Sequence, residues 1–270
     1  MTTVESKTDQ ASHSAAILSD ATYSVFVKSG EGPRAFEQFT QELTGLRLLT
    51  ERSGVLTPAG LGILPVERGA ILILETIRTV PRNRSHWRQM GQTLARLHRV
   101  KNDRFGLDTH AYWGCLYQDN TPLNDWPTFF WERRLVPRLT AAVASGHLPL
   151  NLASEIKNVG DRLLALCGPT VQPSLLHGDA HQNNFLSTTE GSVLIDPSVY
   201  YGHPEIDLAH VDFFSPVPDD FFQGYQEKVP LSPGFDDRRD LWRLPTWLAM
   251  VEVDGPQHVD SLRAALRHCV

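Results

Sequence analysis

Three residue types able to move a phosphoryl group stand close together in Leu175-Leu-His-Gly-Asp-Ala-His-Gln-Asn-Asn184 and the following Val193-Leu-Ile-Asp-Pro197. Asp179 is followed five residues later by Asn184, and twelve after that by Asp196. Transfer of phosphate to a hydroxyl needs a carboxylate to receive the proton. It also needs an amide oxygen and a second carboxylate to hold Mg²⁺ against the phosphates. The spacing assigns Asp179 as base, with Asn184 and Asp196 as metal ligands. Asp and Asn are also ordinary turn residues, and His177 could be a hydrogen-bonded core histidine, so the elements around the triplet must decide.

Bulk properties bound the answer. The chain has 270 residues, 41% hydrophobic and 21% charged, with a net charge of −6. That is the make-up of a globular protein large enough to bury its own core. No basic run suggests nucleic acid, and Gly69-Ala-Ile-Leu-Ile-Leu74 is far too short to cross a bilayer. The polar start MTTVESKTDQASHS lacks an apolar signal core, so no secretion signal is expected. Cys115, Cys167 and Cys269 have no paired spacing, which points to reduced thiols in the cytoplasm and away from a zinc site. Monomer and dimer are both compatible with the sequence.

Tyr23-Ser-Val-Phe-Val-Lys28 reads as a strand ended by Ser29-Gly-Glu-Gly-Pro33. From Arg34 to about Glu51, Phe36, Phe39, Leu43, Leu46 and Leu49 recur at helical spacing. Pro58 and nearby glycines precede a buried strand, Ile71 to Leu74. Helices are predicted at Ser85–Val100, with Ser85 as cap, at Trp126–Leu139 and at Ala153–Leu166. Two more are predicted at Arg238–Val251 and Asp260–Cys269, and the motif lies between on short strands and turns. The predicted fold class is α+β, a protein-kinase-like pair of lobes. Residues 1–14 form a polar segment, 15–76 a small antiparallel β lobe, and 77–270 a larger helical lobe carrying the catalytic loop.

In that plan Lys28 ends a strand where a lysine would neutralise nucleotide phosphates. Its partner would be Glu42 on the next helix, with Glu37 a weaker candidate. Glu75-Thr-Ile77 would be the hinge, where the backbone at Glu75 and Ile77 meets the adenine edge. His181 is expected to orient the loop, Asp207 to brace it, and His98 to be a satisfied core histidine. No nucleophile elbow, metalloprotease helix or Gly-x-x-x-x-Gly-Lys-Ser/Thr loop is present.

His177-Gly-Asp179 with Asn184 resembles the aminoglycoside phosphotransferase and choline kinase superfamily. The long run Ile195-Asp-Pro-Ser-Val-Tyr-Tyr-Gly-His-Pro-Glu-Ile-Asp-Leu-Ala209 closely resembles the fructosamine kinase, or ketosamine-3-kinase, family. Gln118-Asp-Asn-Thr121 with Asp125-Trp126, Phe130-Trp-Glu-Arg-Arg-Leu135 and Tyr225-Gln-Glu-Lys-Val-Pro-Leu231 fit it too, as do Val25-Phe-Val-Lys28 and Phe39-Thr-Gln-Glu42. The resemblance runs from about residue 15 to the C-terminal helices. It implies an ATP- and Mg²⁺-dependent kinase for the 3-hydroxyl of ketoamines, free or protein-bound, whose phosphorylation releases the amine and so repairs glycation.

Carried over, Asp179 takes the hydroxyl proton, Asn184 and Asp196 hold Mg²⁺, and Lys28 with Glu42 positions ATP. Gln118, Asp119, Asn120 and Trp126 would border the ketoamine pocket. Asp119, Asp125 and Glu132 would suit any cationic acceptor, so an aminoglycoside- or choline-type kinase is the alternative. Two departures stand out. Gln10-Ala-Ser-His-Ser-Ala15 replaces the family's paired lid glycines, which leaves a nucleotide-binding pseudokinase as a further alternative. His181 stands where the family typically has Trp. The cysteine through which some relatives form redox-sensitive dimers is also lacking, so no such switch is expected.

Overall fold

The computed structural model describes residues 3–8, 13–20 and 22–269. Gln10, Ala11 and Ser12 of the glycine-free stretch lie outside them. Strands β1 (Thr3–Thr8), β2 (Ser14–Ser19) and β3 (Ser24–Glu31) come first. Helix α1 (Ala35–Ser53) follows, then β4 (Gly60–Val66) and β5 (Gly69–Glu75). All five strands form one antiparallel sheet in the order β1-β2-β3-β5-β4. Ala70, Leu72 and Leu74 alternate inward along β5 and meet Phe39 and Leu46 of α1 in a small core. Lys28 pairs in register with Leu72 and is 8% exposed. A lysine aimed inward from a strand must find an anion, and α1 lies on that face.

The sheet reaches back through β1 into the segment read from sequence as a polar extension. Neither β2, with Ser14-Ala-Ala, nor β4, with Gly60-Leu-Gly, carries the β-branched signature of a strand. Both are recruited by pairing with stronger neighbours.

The second lobe contains α2 (Arg84–His98), a hairpin of β6 (Ala111–Trp113) and β7 (Leu116–Gln118), and α3 (Trp126–Phe130). A wide π turn, Trp131–Leu135, leads into α4 (Val136–Ala144), followed by α5 (Leu150–Asp161) and α6 (Leu163–Leu166). Next come β8 (Ser174–Leu176), β9 (Phe185–Ser187), β10 (Ser192–Leu194) and β11 (Tyr200–Gly202). The chain continues through α7 (Glu205–His210), α8 (Asp219–Gln226), α9 (Phe235–Val253) and α10 (Val259–Arg267).

Asn83, not Ser85, caps α2. Its side chain accepts from His86 N at 3.1 Å, and its own N–H donates to His86 Nδ1 at 3.1 Å. Ser85 lies inside the first turn, as the second residue of the helix. The helix predicted over Trp126–Leu139 widens at the π turn because Pro137 supplies no N–H to continue the regular ladder. The helix predicted over Ala153–Leu166 breaks at Arg162.

Helices α2 and α8 touch through two glycines. A Cβ on Gly91 would lie 2.0 Å from Phe221 O, and one on Gly224 would lie 2.1 Å from Arg88 O. The two lobes are laced together near the motif. Leu194 N donates to Leu56 O at 2.9 Å, and Val80 N donates to Ser187 O at 2.8 Å. No described helix is long and apolar enough to cross a membrane.

Candidate active site

Between the lobes lies a cleft of about 690 Å³. Lys28, Glu42, Asp179, Asn184 and Asp196 all line it, together with His181, Phe26, Gln38 and Tyr112. The local chain explains the convergence. Strand β8 delivers His177 to a tight loop in which Gly178 has φ 80°, and a Cβ there would lie 2.0 Å from Ser198 O. Only glycine fits. The His177 ring is locked by two bonds: Nε2 donates to Ile195 O at 2.9 Å, and Nδ1 accepts from Asp179 N at 3.3 Å. Asp196 has φ 54°, an uncommon conformation for a residue with a Cβ and one that clusters at functional sites.

Asp179 is held by its neighbours. Asn184 Nδ2 donates to Asp179 O at 2.8 Å and to Oδ2 at 3.1 Å. His210 Nε2 lies 3.0 Å from Oδ1, and His181 Nε2 lies 3.8 Å from Oδ2. Burial alone would raise this carboxyl. The hydrogen bond and charge of His210, helped by His181 and the Trp113 indole, instead bring it down to about 2. The group is therefore a carboxylate throughout the physiological range, able to accept a proton.

Lys28 Nζ meets Glu42 Oε1 at 2.9 Å and Oε2 at 3.0 Å, and Asp196 Oδ1 at 2.6 Å. Burial works against the ammonium, but the two carboxylates outweigh it and hold Lys28 charged. Burial drives the Glu42 carboxyl upward against the pull of Lys28, and the Asp196 charge adds to the rise. Glu37, the weaker candidate, is exposed and interacts with Tyr112 instead.

The donor set suits a hard divalent cation. The Asn184 amide nitrogen is committed to Asp179, which leaves its oxygen as the ligand atom. Asp196 has a side chain 36% exposed to the cleft. Among the described residues no group of three or more His, Cys, Asp or Glu is placed to hold a metal. Two protein oxygens are what Mg²⁺ takes when phosphates and water complete its shell.

Asp207 lies beneath the loop and accepts from His177 N at 2.7 Å and Gly178 N at 3.0 Å. His98 Nε2 reaches the same carboxylate at 3.2 Å, and its Nδ1 lies 2.9 Å from Tyr225 OH. His181 caps the short turn Gln182–Asn184 through Asn183 N at 3.3 Å. At the hinge Glu75 is exposed and accepts from Ala59 N at 3.1 Å, while Ile77 is half-buried.

The four residues read as the acceptor pocket lie away from the cleft wall. Trp126 is 4% exposed and stacks on Phe129 and Phe130 in the core. Asn120 is fully buried, donating to Thr109 O and Val199 O at 3.1 Å each and accepting from Arg134 at 2.7 Å. Asp119 accepts from Thr121 N at 2.8 Å and pairs with His110 and Arg133. Gln118 donates to Ser198 Oγ at 2.9 Å, so it braces the segment after Asp196. A polar run next to a tryptophan reads like a ligand site in sequence; here Asp119 and Asn120 are bound to their neighbours and the Trp126 ring packs in the core, while Gln118 lines a small cavity beside Gly178 and His210.

His210 and Trp113 escaped the sequence reading. His210 follows Asp207 by one helical turn, the only local signal that both face the loop.

Comparisons with known proteins bear on family and fold. The pattern that defines the fructosamine kinase family matches residues 2–270. The chain is 32% identical over 257 residues to a probable ketoamine kinase of Vibrio parahaemolyticus, spanning 94% of this chain and 88% of the relative. The crystal structure of a candidate fructosamine-3-kinase from Thermobifida fusca superposes with a TM-score of 0.87 at 29% identity, over 98% of this chain and 93% of that one. A choline kinase from Streptococcus pneumoniae, at 16% identity and a TM-score of 0.66 over 99% and 93% of the two chains, shares the fold. A phosphotransferase of the two-lobed kinase fold, the chain belongs to the fructosamine kinase family.

Proposed function

We propose that the protein uses ATP and Mg²⁺ to phosphorylate the 3-hydroxyl of sugar ketoamines, free or protein-bound, in the cytoplasm. The observation that carries this reading is the convergence of Asp179, Asn184, Asp196 and the Lys28–Glu42 pair in one cleft, on a chain that matches the fructosamine kinases along residues 2–270. Asn184 and Asp196 would hold Mg²⁺, which supplies charge neutralisation at the phosphates. Lys28, kept charged and aimed by Glu42, would hold the nucleotide phosphates. Asp179 receives the acceptor's hydroxyl proton as that oxygen bonds the γ-phosphorus and the bridging P–O bond breaks, and the proton then passes to solvent. Positioning supplies most of the rate. A phosphate at O3 destabilises the ketoamine, and the amine is released.

His181 beside Asp179, in place of the family's usual Trp, favours a second reading: the same chemistry on another hydroxylated amine. A purified sample given ATP, Mg²⁺ and either fructoselysine, ribuloselysine, an aminoglycoside or choline separates the two by ADP release. Turnover confined to the ketoamines supports the first reading, and turnover confined to another acceptor supports the second. Nucleotide binding with no turnover on any acceptor would point to a pseudokinase.

A further inference from the structure

We propose that His210 is a positioning residue that makes Oδ2 of Asp179 the proton-accepting oxygen. The inference rests on Asp179 being the base of the proposed kinase.

His210 Nε2 lies 3.0 Å from Asp179 Oδ1, at hydrogen-bond distance and aimed at that one oxygen, and is assigned as the donor. Oδ1 is thereby engaged from the side of α7. Oδ2 lies beside Asn184, at 3.1 Å from its amide nitrogen, and thus on the side of the proposed metal ligands. A substrate hydroxyl lined up with a phosphate held by Asn184 and Asp196 would approach this oxygen.

The ring of His210 is itself fixed. It stacks on Phe213 at 5.5 Å and 21°, and meets the edges of Trp113 at 5.9 Å and Phe214 at 5.8 Å. The side chain is only 10% exposed. One short helix therefore grips three successive loop residues: Asp207 takes the N–H groups of His177 and Gly178, and one turn later His210 takes the carboxylate of Asp179. With His210 removed, only the 3.1 Å bond from Asn184 to Oδ2 still fixes the carboxylate, and Oδ1 loses its partner. The base is then less often aligned.

Steady-state kinetics of the whole protein with Mg²⁺, ATP and fructoselysine test this, with melting temperatures as the fold control. His210→Ala is expected to lower kcat by about 10- to 100-fold, as loss of an orienting partner does, while both KM values stay within about threefold. Glutamine can place an amide N–H near the Nε2 position, so His210→Gln is expected to recover most of that loss. Equal losses in both variants with raised KM and lowered melting temperature would mean a merely structural histidine and overturn the proposal, as would an unchanged kcat in His210→Ala. Ring ¹⁵N spectra of His210 give a readout independent of the acceptor. They should show Nε2 as the donor nitrogen facing Asp179, with its signal shifted in Asp179→Asn. If the wild type turns over no acceptor, the functional reading fails, and the spectra decide this one. An Nε2 without its proton, or blind to Asp179→Asn, overturns it.

Discussion

Asp179 combines burial with a charge that its neighbours keep in place. Its carboxyl is brought down to about 2, so it is ionised at neutral pH. An acid limb in kcat above pH 4 would then belong to another group. Asp179→Ala is expected to cut kcat by about 10²- to 10⁴-fold with little change in nucleotide affinity, as loss of a positioned base does; kinetics and nucleotide titration check both halves. Asp196→Asn should instead show a defect that shrinks as Mg²⁺ is raised. Trp126 gives the opposite contrast, because its ring belongs to the core. Trp126→Ala should cost about 3–5 kcal/mol in urea unfolding and leave the acceptor KM of the folded enzyme unchanged. That Asp179, Asn184 and Asp196 line one cleft was legible because they lie in one short segment. The place of His210 beside them was not, since its spacing from Asp207 is a weak signal of the loop it faces. The burial of Trp126 and Asn120 was not legible either, because a sequence does not show which side chains pack in the core.

At the level of elements, the catalytic loop is shaped from outside itself. Strand β8 feeds it, α7 clamps it, and α1 presses close: a Cβ on Gly45 would come within 3.2 Å of Pro197 and Val199. Beneath this, α2 and α8 approach so nearly that neither Gly91 nor Gly224 has room for a methyl group. Gly91→Ala should separate the helices and lower stability by about 1–3 kcal/mol or more, the usual penalty of overpacking. Urea unfolding measures it, and an unchanged midpoint would contradict the contact. Strong periodicity made α1 and α2 readable. The strands β2 and β4 were not, because small residues there carry little strand propensity of their own and owe their conformation to pairing with the neighbouring β3 and β5. The π turn before Pro137 follows from a missing N–H whose remedy depends on tertiary packing.

Across the whole molecule, buried histidines link folding to pH. Burial, helped by the Arg238 charge, brings His203 down to about 3. Burial also lowers His98, against the pull of Asp207, and it lowers His181. The unfolded chain, with histidines near about 6.5, binds more protons than the folded one below that pH. The stability that these neutral histidines contribute is therefore full above about pH 6.5 and is lost as pH falls toward 3. His203 alone should account for about 2 kcal/mol between pH 7 and 5. Urea midpoints at the two pH values test this, and His203→Gln should flatten the dependence.

The two-lobed plan was readable from a strand, helix and strand preceding a helical run. How the lobes meet was not, since Leu56, Val80 and the hairpin of β9 and β10 join across long separations. The account as a whole stands on where the phosphate goes. Fructoselysine incubated with the protein, ATP and Mg²⁺, and followed by phosphorus–proton correlation NMR, reports this directly. A new phosphate on the sugar C3 oxygen, followed by free lysine, is the predicted result. ADP without a sugar phosphate, or a phosphate found only on an aminoglycoside or choline offered in parallel, would contradict it.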